Sequence, residues 1–259
     1  MYTKQHIKDD LLKLGICQGD SVLIHSSYKS LGEIQGGAMT FLETFMELLG
    51  ENGTLVLPAL SYETVTRDMP EFDINETPSC VGYLAEYFRT KFPGVRRSMH
   101  ATHSCCAVGK LRDAFVDGHE LDATPVGSNS PFAKLQKYNG KILMIGCRTV
   151  FNTSMHGVEE TVKLPYGVDM ENPVTYTLKD GEKTMHKVSY RHHFISKSGE
   201  RIVQRYDRIA DVLNAGEMKE GYLLDSMCYL IDAKAMWEKG HKKLLEDPWY
   251  FVDNPDFVK

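Results

Sequence analysis

Residues 21–58, SVLIHSSYKSLGEIQGGAMTFLETFMELLGENGTLVLP, decide the fold. Ser21-Val-Leu-Ile-His25 is a short apolar run of strand length. Gly36-Gly37 opens a helical run over 38–49, and Gly50 closes it. Thr54-Leu-Val-Leu-Pro58 is a second strand. Strand, glycine turn, helix and strand in this order predict a right-handed parallel crossover.

Working outward, residues 4–14 read as a helix that stops at Gly15. Downstream, Thr77-Pro78-Ser79 introduces a helix over 79–91, and Ser104–Val108 reads as a buried strand. Ser130-Pro131 opens a short helix to Tyr138, since proline suits the first helical turn. Lys141–Gly146 is a further strand, and Asn152–Leu164 reads as loop and helix ending before Pro165. After Pro165 the pattern changes. Residues 174–178 and 184–190 alternate like strands around Lys179-Asp-Gly-Glu182, a hairpin signal. Helices near 200–214 and 233–245 flank a strand near 226–231. The expectation is an α/β chain, a single domain over 1–259 with an antiparallel insertion at about 165–195.

Composition narrows the function. The net charge of −5 makes nucleic acid a poor partner. No apolar run approaches the roughly 18 residues of a membrane span. The start, MYTKQHIKDDLLKLG, is charged and reads as an amphipathic helix, not a signal peptide. The six cysteines form no CxxC pair, which with no export signal points to reduced thiols and a cytoplasmic location. Glu63, Asp68, Glu71, Asp73 and Glu76 stand against Arg67 alone. Such a stretch is either a solvated loop or a wall that attracts a cation.

Three segments carry chemistry. His25-Ser26-Ser27 sits where the first strand ends, with Gly32 and Gly36-Gly37 behind it. Ligands bind at carboxyl ends of strands in open α/β sheets, and glycines before a helix let amides approach phosphates or amide oxygens. The pattern is neither GxGxxG nor a P-loop, and an ordinary strand-to-helix loop has the same signature. In Asn152-Thr-Ser-Met-His-Gly-Val-Glu-Glu160, His156 and Glu159 share one helix face. A carboxylate beside an imidazole fixes its tautomer and balances the imidazolium, as a general base requires. A surface ion pair has the same spacing. Arg97–Ser104 carries His100 and His103, and His192-His193 adds two more rings. Nothing in the sequence completes a ligand set, so no metal is expected.

In order and spacing these segments resemble the aminoglycoside 3-N-acetyltransferase family. The carriers are His25-Ser26-Ser27, Ser30-Leu31-Gly32, Gly36-Gly37, Gly53-Thr54-Leu55 and Pro58; then Phe72-Asp73, Thr77-Pro78-Ser79, Gly82, Arg89 and Arg97-Ser98; then Ser130-Pro131, Gly146, Asn152-Thr153, His156 and Glu159. The likeness covers roughly residues 5–165 and returns weakly at Asp247-Pro248. It implies an α/β/α sandwich around a central mixed sheet, unrelated to the GNAT acetyltransferases. It implies an antibiotic-modifying acyltransferase with acetyl-CoA as donor and an amine as acceptor. It places His156 as base and Glu159 as its orienting partner. It places His25, Ser26, Ser27, Ser30, Gly36, Gly37, Ser130 and Pro131 around the coenzyme. Two departures stand out: Ala101 follows His100 where the family often has proline, and Tyr166-Gly167 follows Pro165 where it often has Tyr-Arg.

The expected reaction is direct attack of the amine on acetyl-CoA in a ternary complex. His156 takes the proton, and amides or hydroxyls near Ser26-Ser27 steady the oxyanion. Asp68, Glu71, Asp73 and His100 are expected to meet a cationic acceptor. Two other readings stay open: ping-pong transfer through Cys105, Cys106 or Cys147, and a coenzyme A or cationic-ligand binding protein without turnover.

Overall fold

Strands that are apolar at every position must be covered on both faces, because successive side chains point to opposite sides. The computed structural model, which describes residues 1–257, shows this pattern at its centre. Val22, Ile24, Leu55, Leu57, Leu143 and Ile145 enter one core, and Leu23, Val56, Ile142 and Met144 enter the other.

In chain order the strands are β1 (Ser21–Ser26), β2 (Thr54–Pro58), β3 (Glu71–Asp73), β4 (Arg96–Arg97), β5 (Cys105–Gly109), β6 (Lys141–Ile145), β7 (Gly167–Val168), β8 (Val174–Asp180), β9 (Lys183–Ser189), β10 (His192–His193), β11 (Val203–Gln204), β12 (Met218–Leu223), β13 (Ser226–Asp232) and β14 (Val252–Asp253). The α-helices are α1 (Lys4–Leu14), α2 (Gly37–Leu49), α3 (Tyr83–Lys91), α4 (Arg112–Val116), α5 (Pro131–Lys137), α6 (Ser154–Glu160) and α7 (Ala233–Glu246). α1, α2 and α3 cover the first face with Ile7, Leu11, Phe41, Phe45 and Phe88. α4, α5, α6 and α7 cover the second with Phe115, Phe132, Val158 and Trp237. The result is the α/β/α sandwich around a mixed sheet that the resemblance implied. No helix of the described residues is long and apolar enough to cross a membrane.

The main sheet has the order β12-β13-β6-β1-β2-β5-β4. β1 pairs in parallel with β2 on one side and β6 on the other, while the outer strands run antiparallel. The chain leaves β1 toward β2 and returns on the opposite side as β6. The carboxyl end of β1, His25-Ser26, therefore lies at a topological switch point, where α/β sheets open a crevice.

Several elements differ from their sequence reading. The helix expected over 79–91 begins only at Tyr83, because the Cys80 amide donates to the Leu60 carbonyl at 2.7 Å and Gly82 has φ 97°. The expected helix near 200–214 shrinks to one 3₁₀ segment, Tyr206–Asp211. Its flanks are claimed elsewhere: β11 pairs with β14, and Arg205 and Arg208 both reach Asp253. β12 is an added edge strand against β13. The hairpin of β8 and β9 forms in the 165–195 segment with Gly181 at φ 58° in its turn. β3 joins β8 in parallel, so part of the acidic stretch is built into this small sheet.

Candidate active site

α6 is short, and its surroundings explain its placement. The Asn152 Oδ1 accepts from the Ser154 amide at 3.1 Å and closes its start. A Cβ on Gly157 would overlap the Trp237 ring, so glycine here lets α6 press onto α7. One face of α6 then carries His156, 14% exposed at its side chain, with Glu159 buried behind it at 4%.

The two do not touch directly. His156 Nδ1 and Glu159 Oε2 are 3.6 Å apart, too far for a good hydrogen bond. The Tyr206 hydroxyl fills the gap, 2.8 Å from His156 Nδ1 and 2.6 Å from Glu159 Oε2. A hydroxyl has one proton to give. Donated to the carboxylate, it leaves the oxygen to accept Nδ1–H, so the imidazole proton sits on Nδ1 and the lone pair on Nε2. This tautomer follows from the hydrogen-bond network. Burial and the Glu159 charge hold the Tyr206 phenol well above its ordinary range, so it stays a donor. Sequence reasoning missed Tyr206, since the segment around it read as an ordinary helix.

The other side of His156 is also occupied. The His192 ring stacks on it at 3.9 Å and 27°. His192 Nε2 lies 3.4 Å from Glu160 Oε1, which also accepts the Val126 amide at 2.9 Å. Burial pushes the Glu160 carboxyl up to about 7 and the His192 imidazole well below its ordinary value. Near pH 7 the ring is thus neutral and the carboxyl about half protonated. His103 stands edge-on to His192 at 4.9 Å, and burial keeps it neutral as well. Among the described residues no group of three or more His, Cys, Asp or Glu is arranged to hold a metal ion.

A cleft of about 550 Å³ opens at this place. It runs across the strand ends of the sheet. β1 supplies His25 and Ser26, the segment after β6 supplies Cys147 and Phe151, the exit of β2 supplies Leu60 and Tyr62, and Thr102-His103 precedes β5. His156, Arg191, His192, Arg201 and Tyr206 also line it, and no carboxylate does so among the described residues. A second cavity of about 410 Å³ lies against His156 and His192, with Leu164, Tyr166, Val168 and Met170 in its wall. Its two carboxyls, Glu159 and Glu160, are the ones already bonded to Tyr206 and to His192 and the Val126 amide.

The structure gathers some of the residues singled out in the sequence and scatters others. His25 lines the cleft with its ring buried and its basicity lowered to about 3 by that burial. Ser26 lines it, and its hydroxyl makes no hydrogen bond to a described residue. Ser27 lies outside the lining, and its amide is spent on the Ile145 carbonyl at 2.8 Å. Ser30 Oγ bonds the Ser27 carbonyl at 2.7 Å and Ser226 Oγ at 2.6 Å. Gly36 and Gly37 open α2 outside the cleft, both at positive φ. Ser130 is buried, its Oγ accepting the Ala133 amide at 3.1 Å as an N-cap, and Pro131 is buried beside it.

The expected acceptor residues do not reach the cleft either. His100 is buried, takes the Thr102 and His103 amides on Nδ1 at 3.3 and 3.0 Å, and stacks on His119. Glu71 pairs with Lys179 at 2.8 Å across β3 and β8. Asp73 caps a turn by accepting the Asn75 and Glu76 amides at 2.8 and 3.1 Å. Asp68 is exposed outside the lining. Part of this stretch is held in the small sheet, where β3 pairs with β8.

The cysteines are poorly placed for covalent catalysis. Burial pushes Cys106 up to about 12 and raises Cys105 well above its ordinary value. Cys147 lines the cleft, but burial raises it to about 11 and its thiol donates to the His25 carbonyl at 3.6 Å. Little thiolate, the nucleophilic form, exists at neutral pH.

Comparison with known proteins adds a name to this geometry. Residues 23–245 match the family model described as aminoglycoside 3-N-acetyltransferase. The chain is 30% identical over 258 residues to aminoglycoside N(3)-acetyltransferase III of Salmonella sp, covering 90% of this chain and 88% of that one. It is 28% identical over 218 residues to the SPbeta prophage-derived aminoglycoside N(3')-acetyltransferase-like protein YokD of Bacillus subtilis (strain 168), 76% of this chain and 79% of that one. Among solved structures it is similar to the apoenzyme of aminoglycoside acetyltransferase AAC(3)-IVa, with TM-score 0.81, 26% identity, and coverage of 98% and 93%. The fold is also that of a binary complex of AAC-IIIb with CoASH, TM-score 0.80 at 23% identity, covering 95% of this chain and 97% of the other.

Proposed function

The chain belongs to the aminoglycoside 3-N-acetyltransferase family of enzymes, and from that premise we propose that it transfers the acetyl group of acetyl-CoA directly to a primary amine of an amino sugar of the aminoglycoside kind. The observation that carries this reading is the Tyr206 bridge, which leaves His156 with a bare Nε2 beside the cleft. An ammonium has no lone pair, so the acceptor must lose a proton before it attacks the thioester. His156 receives that proton at Nε2. Glu159, acting through the Tyr206 hydroxyl, balances the imidazolium charge. The coenzyme thioester is expected at the His25-Ser26 end. There the Ser26 hydroxyl is the remaining candidate donor to the oxyanion, since the Ser27 amide is engaged. The raised cysteine thiols favour one-step transfer over an acetyl-enzyme.

Thiol release from acetyl-CoA tests the reading, with gentamicin, sisomicin, apramycin and simple amino sugars as acceptors. The His156→Ala variant should lose about 10²-fold or more in kcat, the usual span of a general base. Its calorimetric affinity for coenzyme A should stay within about twofold, since the base acts on the amine proton and not on the coenzyme. An unchanged kcat would sink the assignment.

A further inference from the structure

Three tyrosines gather where two chain segments leave the cleft. Ser26 and Val81 both line it. A Cβ on Gly82 would sit 3.8 Å from the Ser26 carbonyl, so the two segments meet at this point. Two residues after Val81 comes Tyr83, and two after Ser26 comes Tyr28. Their ring centroids are 5.4 Å apart, and Tyr87, one turn along α3, stands 5.7 Å from Tyr83.

The group is built like a platform. Tyr83 is 55% exposed, and Tyr28 and Tyr87 are half-buried. The buried Phe41 ring holds Tyr28 edge-on at 6.2 Å and ties it to the core of the first face. A phenol that is partly buried ordinarily finds a partner for its hydroxyl. None of these three hydroxyls has one among the described residues. Lys29, next to Tyr28, is exposed and makes no ion pair among them either. An exposed aromatic patch that continues a cleft is a surface for a ligand, and a planar base stacks well on such rings.

Of the two molecules that acetyl transfer brings together, the coenzyme alone carries a planar aromatic ring, the adenine at the far end of its arm. An amino sugar is puckered and presents hydroxyls and ammonium groups. Resting on the acetyl-transfer reading above, we propose that Tyr83, with Tyr28 and Tyr87 beside it, is the seat of the coenzyme's adenine. The arm enters the cleft past Ser26 and Val81. The unpartnered phenols and the Lys29 ammonium supply donors for the base and the phosphates.

The test removes the ring on one side and the nucleotide on the other. Coenzyme A and adenosine 3',5'-bisphosphate are titrated calorimetrically into wild type, Tyr83→Ala and Tyr83→Phe. Acetyl-CoA and acetylpantetheine, which lacks the nucleotide, are compared as donors by thiol release. Tyr83→Ala should weaken both nucleotides by about tenfold or more, the worth of one base stacked on an aromatic side chain. Tyr83→Phe keeps the ring and should stay within about threefold of wild type. The KM for acetyl-CoA should rise in Tyr83→Ala by the same factor, while that for acetylpantetheine stays within about twofold. Wild-type affinity for coenzyme A in Tyr83→Ala, an equal loss with acetylpantetheine, or a rise confined to the acceptor KM would overturn the proposal. Coenzyme binding that depends on Tyr83, with no thiol release from any amine in the wild type, would leave the seat standing and overturn the acetyl-transfer reading instead.

Discussion

Replacing Tyr206 with Phe removes one oxygen and leaves the ring in place. That oxygen holds His156 Nδ1 at 2.8 Å and Glu159 Oε2 at 2.6 Å. Without it the imidazole and the carboxylate face each other across 3.6 Å, and Glu159 Oε1, buried and unbonded, offers no alternative. A hydrogen bond to a charged group is worth about 1.5–3 kcal/mol, and a buried acceptor left without its donor is destabilising by a similar amount. Stability should therefore fall by about 2 kcal/mol, which for a chain of this size lowers Tm by roughly 4–8 °C. The catalytic loss should be smaller than that of the His156→Ala variant. His156 and Glu159 remain, and what disappears is the lock on the tautomer and the path for charge balance. One hydrogen bond of about 1.4–2.7 kcal/mol corresponds to roughly 10–100-fold in kcat. Thiol release at saturating acetyl-CoA, at a temperature where the variant is folded, gives kcat directly. A lowered Tm with wild-type kcat would show that the hydroxyl only packs the core. Wild-type values of both would refute the bridge.

Two further outcomes follow from the surroundings of His156 and from the acidic stretch. The Glu160 carboxyl sits at about 7, above the roughly 4.3 of an exposed glutamate, so between those values the folded chain keeps a proton that the unfolded chain has lost. Stability falls as pH rises through this window, and Glu160→Gln, which lacks that proton, should gain on wild type by about 2–3 kcal/mol between about pH 5 and 7. Urea unfolding at both pH values measures it; an equal difference at both would mean that Glu160 titrates like a surface carboxylate. The combined Asp68→Asn, Glu71→Gln and Asp73→Asn variant should leave the acceptor KM within about twofold, because these carboxylates are off the cleft and salt-screened beyond about 8 Å. It should lower Tm through the lost Lys179 pair and the lost turn cap at Asp73. A rise in acceptor KM with unchanged Tm would place them at the acceptor after all.

The sequence by itself determined the sandwich and the placement of His156 and Glu159 on one helix face. Val22 to Ile24, Leu55 to Leu57 and Ile142 to Ile145 are apolar at every position, and such strands have no solvent face, so helices on both sides were forced. His156 and Glu159 were legible because the helix period alone puts residues three apart on one face. What depended on distance along the chain was not legible. Tyr206 lies 47 residues beyond Glu159, and only the pairing of β11 with β14 and the hold of Arg205 and Arg208 on Asp253 turn its segment from helix into the 3₁₀ turn that delivers the hydroxyl. His192 and Glu160, adjacent to recognised features, became a pair only when the chain returned from β9. The place of the acidic stretch was not legible for the same reason. A run of carboxylates is a local property, but β3 binds it to β8 through backbone hydrogen bonds indifferent to side-chain charge, and Arg191 takes the place at the strand ends. Local periodicity fixes which faces are buried; which side chains then meet across the crevice is set by strand pairing between distant segments, and no window of the sequence contains that information.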